Sequence, residues 1–232
     1  MKTTFRCLCA SLILIALPIS ALAGGTWQRS VDGCQLWNED PRPGETVTWS
    51  GSCVDGKAEG SGTAVWSFER AGRTSNVRYQ GKMRAGYLEG AGILESSDGA
   101  RVFGDWRQGK LNGEARYVAA DGARYEGEWQ NGRYHGKGTY YAANGSRYQG
   151  EWRNGLKHGR GVYVSANGER YEGQWKAGKK QGIGVYYFAD GNRYKGPFVD
   201  DALHGFGECY TKFSAEWREC EMRNGRFQHW VR

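Results

Sequence analysis

Residues 124–145 read RYEGEWQNGRYHGKGTYYAANG, and residues 147–168 repeat the phrase as RYQGEWRNGLKHGRGVYVSANG. The period is 23 residues. Each copy has a glycine at the same position, here called its anchor glycine. The anchor glycines are Gly81, Gly104, Gly127, Gly150, Gly173 and Gly196. A fixed period of this length predicts a repeat array, in which each unit packs against its neighbours and the array presents an extended surface.

Bulky side chains flank the anchors at fixed distances. Two residues before the anchors stand Tyr79, Val102, Tyr125, Tyr148, Tyr171 and Tyr194. Two residues after them stand Met83, Trp106, Trp129, Trp152, Trp175 and Phe198. Because side chains alternate along a β-strand, the tyrosine, glycine and tryptophan of one unit share one face of its first strand.

The second strand of the unit follows the same logic. Gly136, Gly138 and Tyr140 share one face, and we expect rings to lie over Gly127, Gly136 and Gly138, where no Cβ blocks them. One unit cannot bury this face alone. The pattern therefore predicts an all-β, elongated, single-layer ribbon or solenoid of stacked antiparallel β-hairpins. Tight hairpin turns that require positive φ are expected where the second strands end, at Asp98-Gly99, Asp121-Gly122, Asn144-Gly145, Asn167-Gly168 and Asp190-Gly191.

The chain divides into a leader, a cap, an array and a tail. Residues 1–23 have a basic start, an apolar core and the cleavage pattern Ala21-Leu22-Ala23, which predicts a cleaved signal peptide. Residues 24–48 carry no repeat phrase and are predicted to form an irregular N-terminal cap. The array spans 49–228, with six regular repeats at 79–209 and degenerate repeats at both ends. A longer loop is expected from Ser67 to Arg73, and residues 229–232 form a tail.

Composition narrows the function classes. The chain has 37 glycines without a collagen period, and its aromatic content of 14% excludes ordinary disorder. Loss of Lys2 and Arg6 with the leader lowers the formal net charge from +7 to +5, which does not call for a nucleic-acid partner.

The leader predicts export to the periplasm or the cell exterior, where cysteines form disulfides. Four mature cysteines allow three connectivities, and we expect the pairs Cys34–Cys53 and Cys209–Cys220, one near each end of the array.

The phrase resembles the MORN (membrane occupation and recognition nexus) repeat. Residues 125–138 and 148–161 match its pattern Tyr-x-Gly-x-Trp-x-x-Gly-x-x-His-Gly-x-Gly throughout, and the next copy departs only at Gln181. The resemblance covers about residues 49–228. It implies a ribbon of hairpins that acts as a scaffold, a dimerisation element or a lipid-associated module, and it leaves homodimerisation open.

Two rows of side chains are candidate binding surfaces. An arginine precedes each tyrosine position, and these residues are Arg78, Arg101, Arg124, Arg147, Arg170 and Arg193. The row suits an anionic polymer, lipid head groups or an acidic partner, but interleaved acids such as Glu126 and Glu172 also predict structural ion pairs. The aromatic row suits a glycan or a protein partner, or else forms the core of the ribbon. Its candidate members are Tyr125, Trp129, Tyr148, Trp152, Tyr171 and Trp175.

No catalytic or cofactor motif stands out. His135, His158 and His204 occupy one repeat position, and a spacing of about 10 Å is too long for a shared zinc ion. Hydrogen bonding at turns or caps is the expected role of these histidines. We therefore predict no enzyme activity, no cofactor and no metal site. The leading hypothesis is a binding scaffold of the cell envelope or exterior for a protein partner. The alternative is a direct binder of cell-wall glycan or acidic lipid.

Overall fold

The computed structural model describes residues 25–231, and the predicted signal peptide lies outside them. The described residues contain no helix, and therefore no helix able to cross a membrane. They form strands β1 (Thr26–Arg29), β2 (Gln35–Asn38), β3 (Thr46–Trp49), β4 (Ser52–Val54), β5 (Lys57–Arg70), β6 (Arg73–Arg84), β7 (Tyr87–Ser96), β8 (Arg101–Arg107), β9 (Lys110–Val118), β10 (Arg124–Gln130), β11 (Arg133–Tyr141), β12 (Arg147–Arg153), β13 (Leu156–Val164), β14 (Arg170–Lys176), β15 (Lys179–Tyr187), β16 (Arg193–Val199), β17 (Ala202–Leu203), β18 (Gly205–Thr211), β19 (Glu216–Arg223) and β20 (Arg226–Trp230).

The strands form one open, mostly antiparallel sheet of successive hairpins. From β5 to β16 each strand pairs with the next one in the chain, and β18, β19 and β20 continue the series. The predicted all-β ribbon of stacked antiparallel hairpins is confirmed. Both predicted disulfides are present, with Cα–Cα distances of 5.6 Å for Cys34–Cys53 and 5.9 Å for Cys209–Cys220.

The N-terminal segment is more regular than predicted. Within residues 24–48, β1 and β2 form a hairpin and β3 pairs with β5. The hairpin packs across the start of the array, where Trp27, Trp37 and Tyr87 meet edge to face or tilted at centroid distances of 5.2–5.8 Å. At the other end, β20 continues through Trp230, into the segment predicted as a tail.

The loop predicted from Ser67 to Arg73 is absent. Instead β5 and β6 are longer than the other strands and pair as far as Arg70 and Arg73. The connection is the dipeptide Ala71-Gly72, in which both residues have positive φ. Alternation explains the extension, because Trp66 and Phe68 stay on the buried face of the lengthened strand.

The hairpin turns also differ from the sequence prediction. Asn144 and its equivalents do not have positive φ. Only the glycine that follows them does, and the Asn or Asp side chain accepts a hydrogen bond from the backbone two residues on, as in Ser146 N to Asn144 Oδ1 at 3.0 Å. Two-residue turns with positive φ at both positions lie at the opposite edge of the ribbon, as at Asn131-Gly132.

A β-bulge inside each repeat corrects the assignment of Gly136. The register runs from Gly127↔Gly138 to Trp129↔Tyr134, so two extra residues lie on β11. Gly136 takes a φ of 52° in this bulge. The space beside it is filled by the Glu128 carboxylate rather than by a ring, and that carboxylate accepts a hydrogen bond of 2.7 Å from the Lys137 amide.

Candidate functional site

One face of the ribbon, here called the aromatic face, carries four columns of side chains. The tyrosine and tryptophan columns are those read from the sequence. In the central repeats, each tyrosine ring meets the tryptophan of its own repeat and the ring at the same position in the next repeat. For Tyr148 the centroid distances are 5.0 Å to Trp152 and 5.1 Å to Trp175, both edge to face. The tyrosine column is buried throughout as a result, and the rings lie over glycines of two adjacent strands.

Hydrogen bonds fix these rings. The Tyr148 hydroxyl donates to the carbonyl of Glu151 at 2.9 Å, and the Trp152 indole donates to the carbonyl of Gly138 in the preceding hairpin at 3.2 Å. Burial raises the pKa of Tyr148 above its usual range, so the phenol stays a neutral donor. The same geometry recurs at Tyr125, Tyr171, Trp129 and Trp175.

The histidine position ties neighbouring hairpins together. In three repeats the side chain here accepts a hydrogen bond from the turn amide of the next hairpin, namely Glu89 from Gln108, Asn112 from Asn131 and Gln181 from Asp200. His135 stands at the same position, but its buried Nδ1 has no hydrogen-bond partner in residues 25–231. No cluster of three potential metal ligands occurs in that range.

The N-terminal segment leaves a cleft beside the first repeats, which we call the cap groove. Its volume is about 660 Å³. The cap contributes Trp37, Glu39 and Arg42, with Glu39 paired to Lys110 at 3.0 Å. The groove reaches the turn at Gly155 and Leu156. Its floor is apolar and consists of Trp66, Val77, Leu88, Leu94, Trp106 and Leu111.

Two residues that line the cap groove each have a buried side-chain donor without an acceptor among the described residues. These donors are Nε of Arg42 and Nε1 of Trp66. The Arg42 guanidinium lies 3.8 Å from the centroid of the Phe68 ring. A buried donor without an acceptor costs free energy. The groove itself places charged side chains, Glu39, Arg42 and Lys110, beside its apolar floor.

A third column on the aromatic face, the turn-proximal column, was not identified from the sequence. Its members follow the two-residue turns by two positions and stand opposite the tryptophan column. They are Leu88, Leu111, Tyr134, Lys157, Lys180 and Leu203. An alignment of the residues that stand two positions after each turn would have shown, from the sequence alone, that this column changes from apolar to cationic side chains. The fourth column pairs with the tyrosines across the strands and consists of Leu94, Tyr117, Tyr140, Tyr163, Tyr186 and Cys209.

The repeated sequence matches a known protein family. A family model for the MORN repeat matches six consecutive segments, at residues 79–101, 103–124, 125–147, 148–170, 171–193 and 194–212. The chain is a MORN-repeat protein. No curated protein sequence matches it significantly. MORN repeats are non-catalytic modules that mediate binding or scaffolding, and this protein carries them on a ribbon with an added N-terminal cap.

The arginines of the MORN array lie on the opposite, outer face. Arg101 and Arg124 pair with Glu95 and Glu126 at 3.2 Å and 3.7 Å, and Arg170 pairs with Glu172. Arg193 packs on the Tyr210 ring at 4.9 Å. Arg147 is exposed and forms no ion pair with another residue in the range 25–231. The row is thus partly neutralised, and its role in binding stays a prediction.

The paired arginines are expected to contribute little stability. Replacing Arg124, Arg147 and Arg170 together with glutamine should leave the fold intact, because each exposed pair stabilises the protein by at most about 1 kcal/mol. Urea unfolding of the single and triple variants is the measurement. Arg147→Gln is the matched control, since this residue has no acidic partner to lose. A loss above about 3 kcal/mol in the triple variant would contradict this expectation.

The predicted aromatic site residues form the floor of the aromatic face rather than its surface. Tyr125, Tyr148 and Tyr171 are at most 1% exposed, and Trp129, Trp152 and Trp175 are 3–6% exposed. Most of the turn-proximal column is equally buried, so a ligand on this face would first touch the fourth column together with Lys157 and Lys180. Tyr140, Tyr163 and Tyr186 are half-buried and present more surface than the rings beneath them.

Proposed function

We propose that this MORN-repeat protein is an exported, non-enzymatic scaffold that binds an extended segment of a protein partner on its aromatic face. The observation that carries the proposal is the cap groove, an apolar cleft of about 660 Å³. That volume suits a few side chains of a bound segment. Two disulfides are compatible with an oxidising compartment, and the sequence of residues 1–23 supports export.

A peptide suits this groove better than a glycan or a lipid does. Sugar stacking needs open ring faces, whereas the tyrosine and tryptophan columns are buried. A lipid tail would fill the apolar floor but would bring no polar groups to Glu39, Arg42 and Lys110, which also line the groove. A peptide brings both apolar side chains and backbone carbonyls.

Site-specific photo-crosslinking tests the proposal. A benzoylphenylalanine replaces Arg133, an exposed residue that lines the groove, and in a second variant it replaces Lys137, an exposed residue on the outer face of the same strand. Irradiation of native cells that produce each variant should give a discrete protein adduct from position 133 and none from position 137. Equal adducts from both positions would overturn the proposal. So would the absence of adducts combined with binding of the purified protein to cell-wall glycan or acidic vesicles.

A further inference from the structure

Lys157 and Lys180 occupy positions where the rest of the column is apolar. In the other regular repeats this position holds Leu88, Leu111, Tyr134 and Leu203, all of which are buried. Lys157 stands opposite Trp152, and Lys180 stands opposite Trp175. An apolar side chain at either site would pack on the tryptophan without desolvating a charge, so apolar packing alone does not select lysine here.

Both ammonium groups lie among aromatic rings. The Lys157 Nζ is 4.5 Å from the centroid of Tyr163 and 4.8 Å from that of Trp175. The Lys180 Nζ is 4.8 Å from Tyr186 and 5.6 Å from Tyr171. These contacts are within cation–π range and hold the charges at the half-buried surface.

The charge on Lys180 is incompletely compensated inside the protein. Burial lowers the pKa of its ammonium group, and the nearby Asp201 and Glu169 partly offset that effect. Neither acid forms an ion pair with it, and no other described residue does. Asp201 accepts a hydrogen bond from the Lys180 backbone amide, while Glu169 accepts one from the Tyr186 hydroxyl. An external carboxylate would therefore be the direct partner of this ammonium.

The repeat spacing selects the shape of a partner. Equivalent residues of adjacent hairpins recur every two strands, at about 10 Å. A polyproline II segment has three residues per turn and rises about 9 Å per turn, so its residues i and i+3 would face successive repeats. Such segments also dock in grooves lined by aromatic side chains.

We propose that Lys157 and Lys180 bind two acidic side chains, three residues apart, in a polyproline II segment of the partner. This inference rests on the proposed function and specifies its partner. Apolar residues at the same three-residue spacing would follow the column toward Leu111 and Leu88, in the cap groove. The recognised pattern is two apolar and two acidic residues, spaced to match the repeats.

Defined peptides test the pattern. The probe is a fluorescein-labelled peptide, Leu-Pro-Pro-Leu-Pro-Pro-Pro-Pro-Pro-Glu-Pro-Pro-Glu, together with its reversed sequence, because the structure does not fix the direction of the chain. Two comparison peptides carry glutamine in place of both glutamates or place the glutamates side by side. Fluorescence anisotropy with the purified, disulfide-bonded chain is expected to show at least about tenfold tighter binding of the spaced diglutamate peptide.

A double variant that copies the residue of two other repeats tests the role of the two lysines. Lys157→Leu/Lys180→Leu introduces the residue found at Leu88 and Leu111, so it removes two charges while preserving the packing. We expect at least about tenfold weaker binding of the diglutamate peptide, no preference over glutamine, and an unfolding midpoint in urea no lower than that of the parent chain. Lys137→Leu/Lys176→Leu removes the same net charge from exposed positions and should bind as the parent chain does.

Several outcomes would overturn the inference. They are equal binding of the glutamate and glutamine peptides, unchanged binding by the Lys157→Leu/Lys180→Leu variant, or no binding of any spaced peptide by the parent chain. If adducts at position 133 persist in these cases, the scaffold function stands and only the partner chemistry is wrong. If the adducts are also absent, the proposed function fails with the inference.

Discussion

Replacing Trp152 with alanine is expected to lower the free energy of unfolding by about 3–5 kcal/mol. The indole is 6% exposed and lies 5.0–5.5 Å from the rings of Tyr125, Tyr134 and Tyr148. Because these rings belong to two successive repeats, the variant would leave a cavity at their junction. It would also leave the Gly138 carbonyl without its indole donor.

The position of Trp152 makes its loss more than local. In a linear array, stability is roughly the sum of the repeats and of the interfaces between neighbours. A weakened central interface should therefore divide one unfolding transition into two. Urea titrations followed by circular dichroism, with amide hydrogen exchange on both sides of the substitution, measure this effect.

Trp217 provides the control for this prediction. It is 42% exposed and contacts only the Tyr210 ring among aromatic residues of the described chain. Trp217→Ala should cost about 1 kcal/mol and leave a single transition. Equal losses at the two tryptophans would show that the buried column is not what holds the repeats together.

Replacing Gly161 with alanine is expected to cost about 3 kcal/mol, although it adds a single methyl group. A Cβ at this position would lie 2.6 Å from ring carbons of Tyr148. The ring cannot move away, because Trp152 and Trp175 enclose it at 5.0 Å and 5.1 Å. Thermal and urea unfolding of the variant measure the loss.

Another repeat of the protein indicates how the stability lost in Gly161→Ala could be partly restored by a second substitution. In the repeat anchored by Gly104, the tyrosine position holds Val102 and the position equivalent to Gly161 holds Ala115. The smaller side chain on one strand thus accompanies the larger one on the next. Tyr148→Val/Gly161→Ala should therefore be more stable than the sum of the two single losses predicts.

Gly155→Asn is the control for the glycine prediction. Gly155 has a φ of 81°, and a Cβ added there would have no atom within 4 Å. Asparagine tolerates this backbone region. The expected loss is below about 1 kcal/mol. A loss at Gly155 as large as that at Gly161 would mean that backbone conformation, rather than space for the ring, sets the cost.

The sequence by itself determined the architecture, because the decisive interactions repeat along the chain. The period of 23 residues fixed the hairpin unit, and strand alternation placed Tyr148, Gly150 and Trp152 on one face. The cysteine pairs at the two ends followed from the same layout. Each of these features depends on neighbours that are close in sequence or one period away.

Only the tertiary structure decided features that depend on cross-strand register. Two extra residues in the bulge moved Gly136 away from the rings and brought Glu128 beside it. The folding of the cap over the first repeats created a groove between segments with unrelated sequence patterns. Lys157 and Lys180 became candidates only when their aromatic neighbours were known. Contacts across strands arise from pairing and bulges, and local sequence preferences do not encode them.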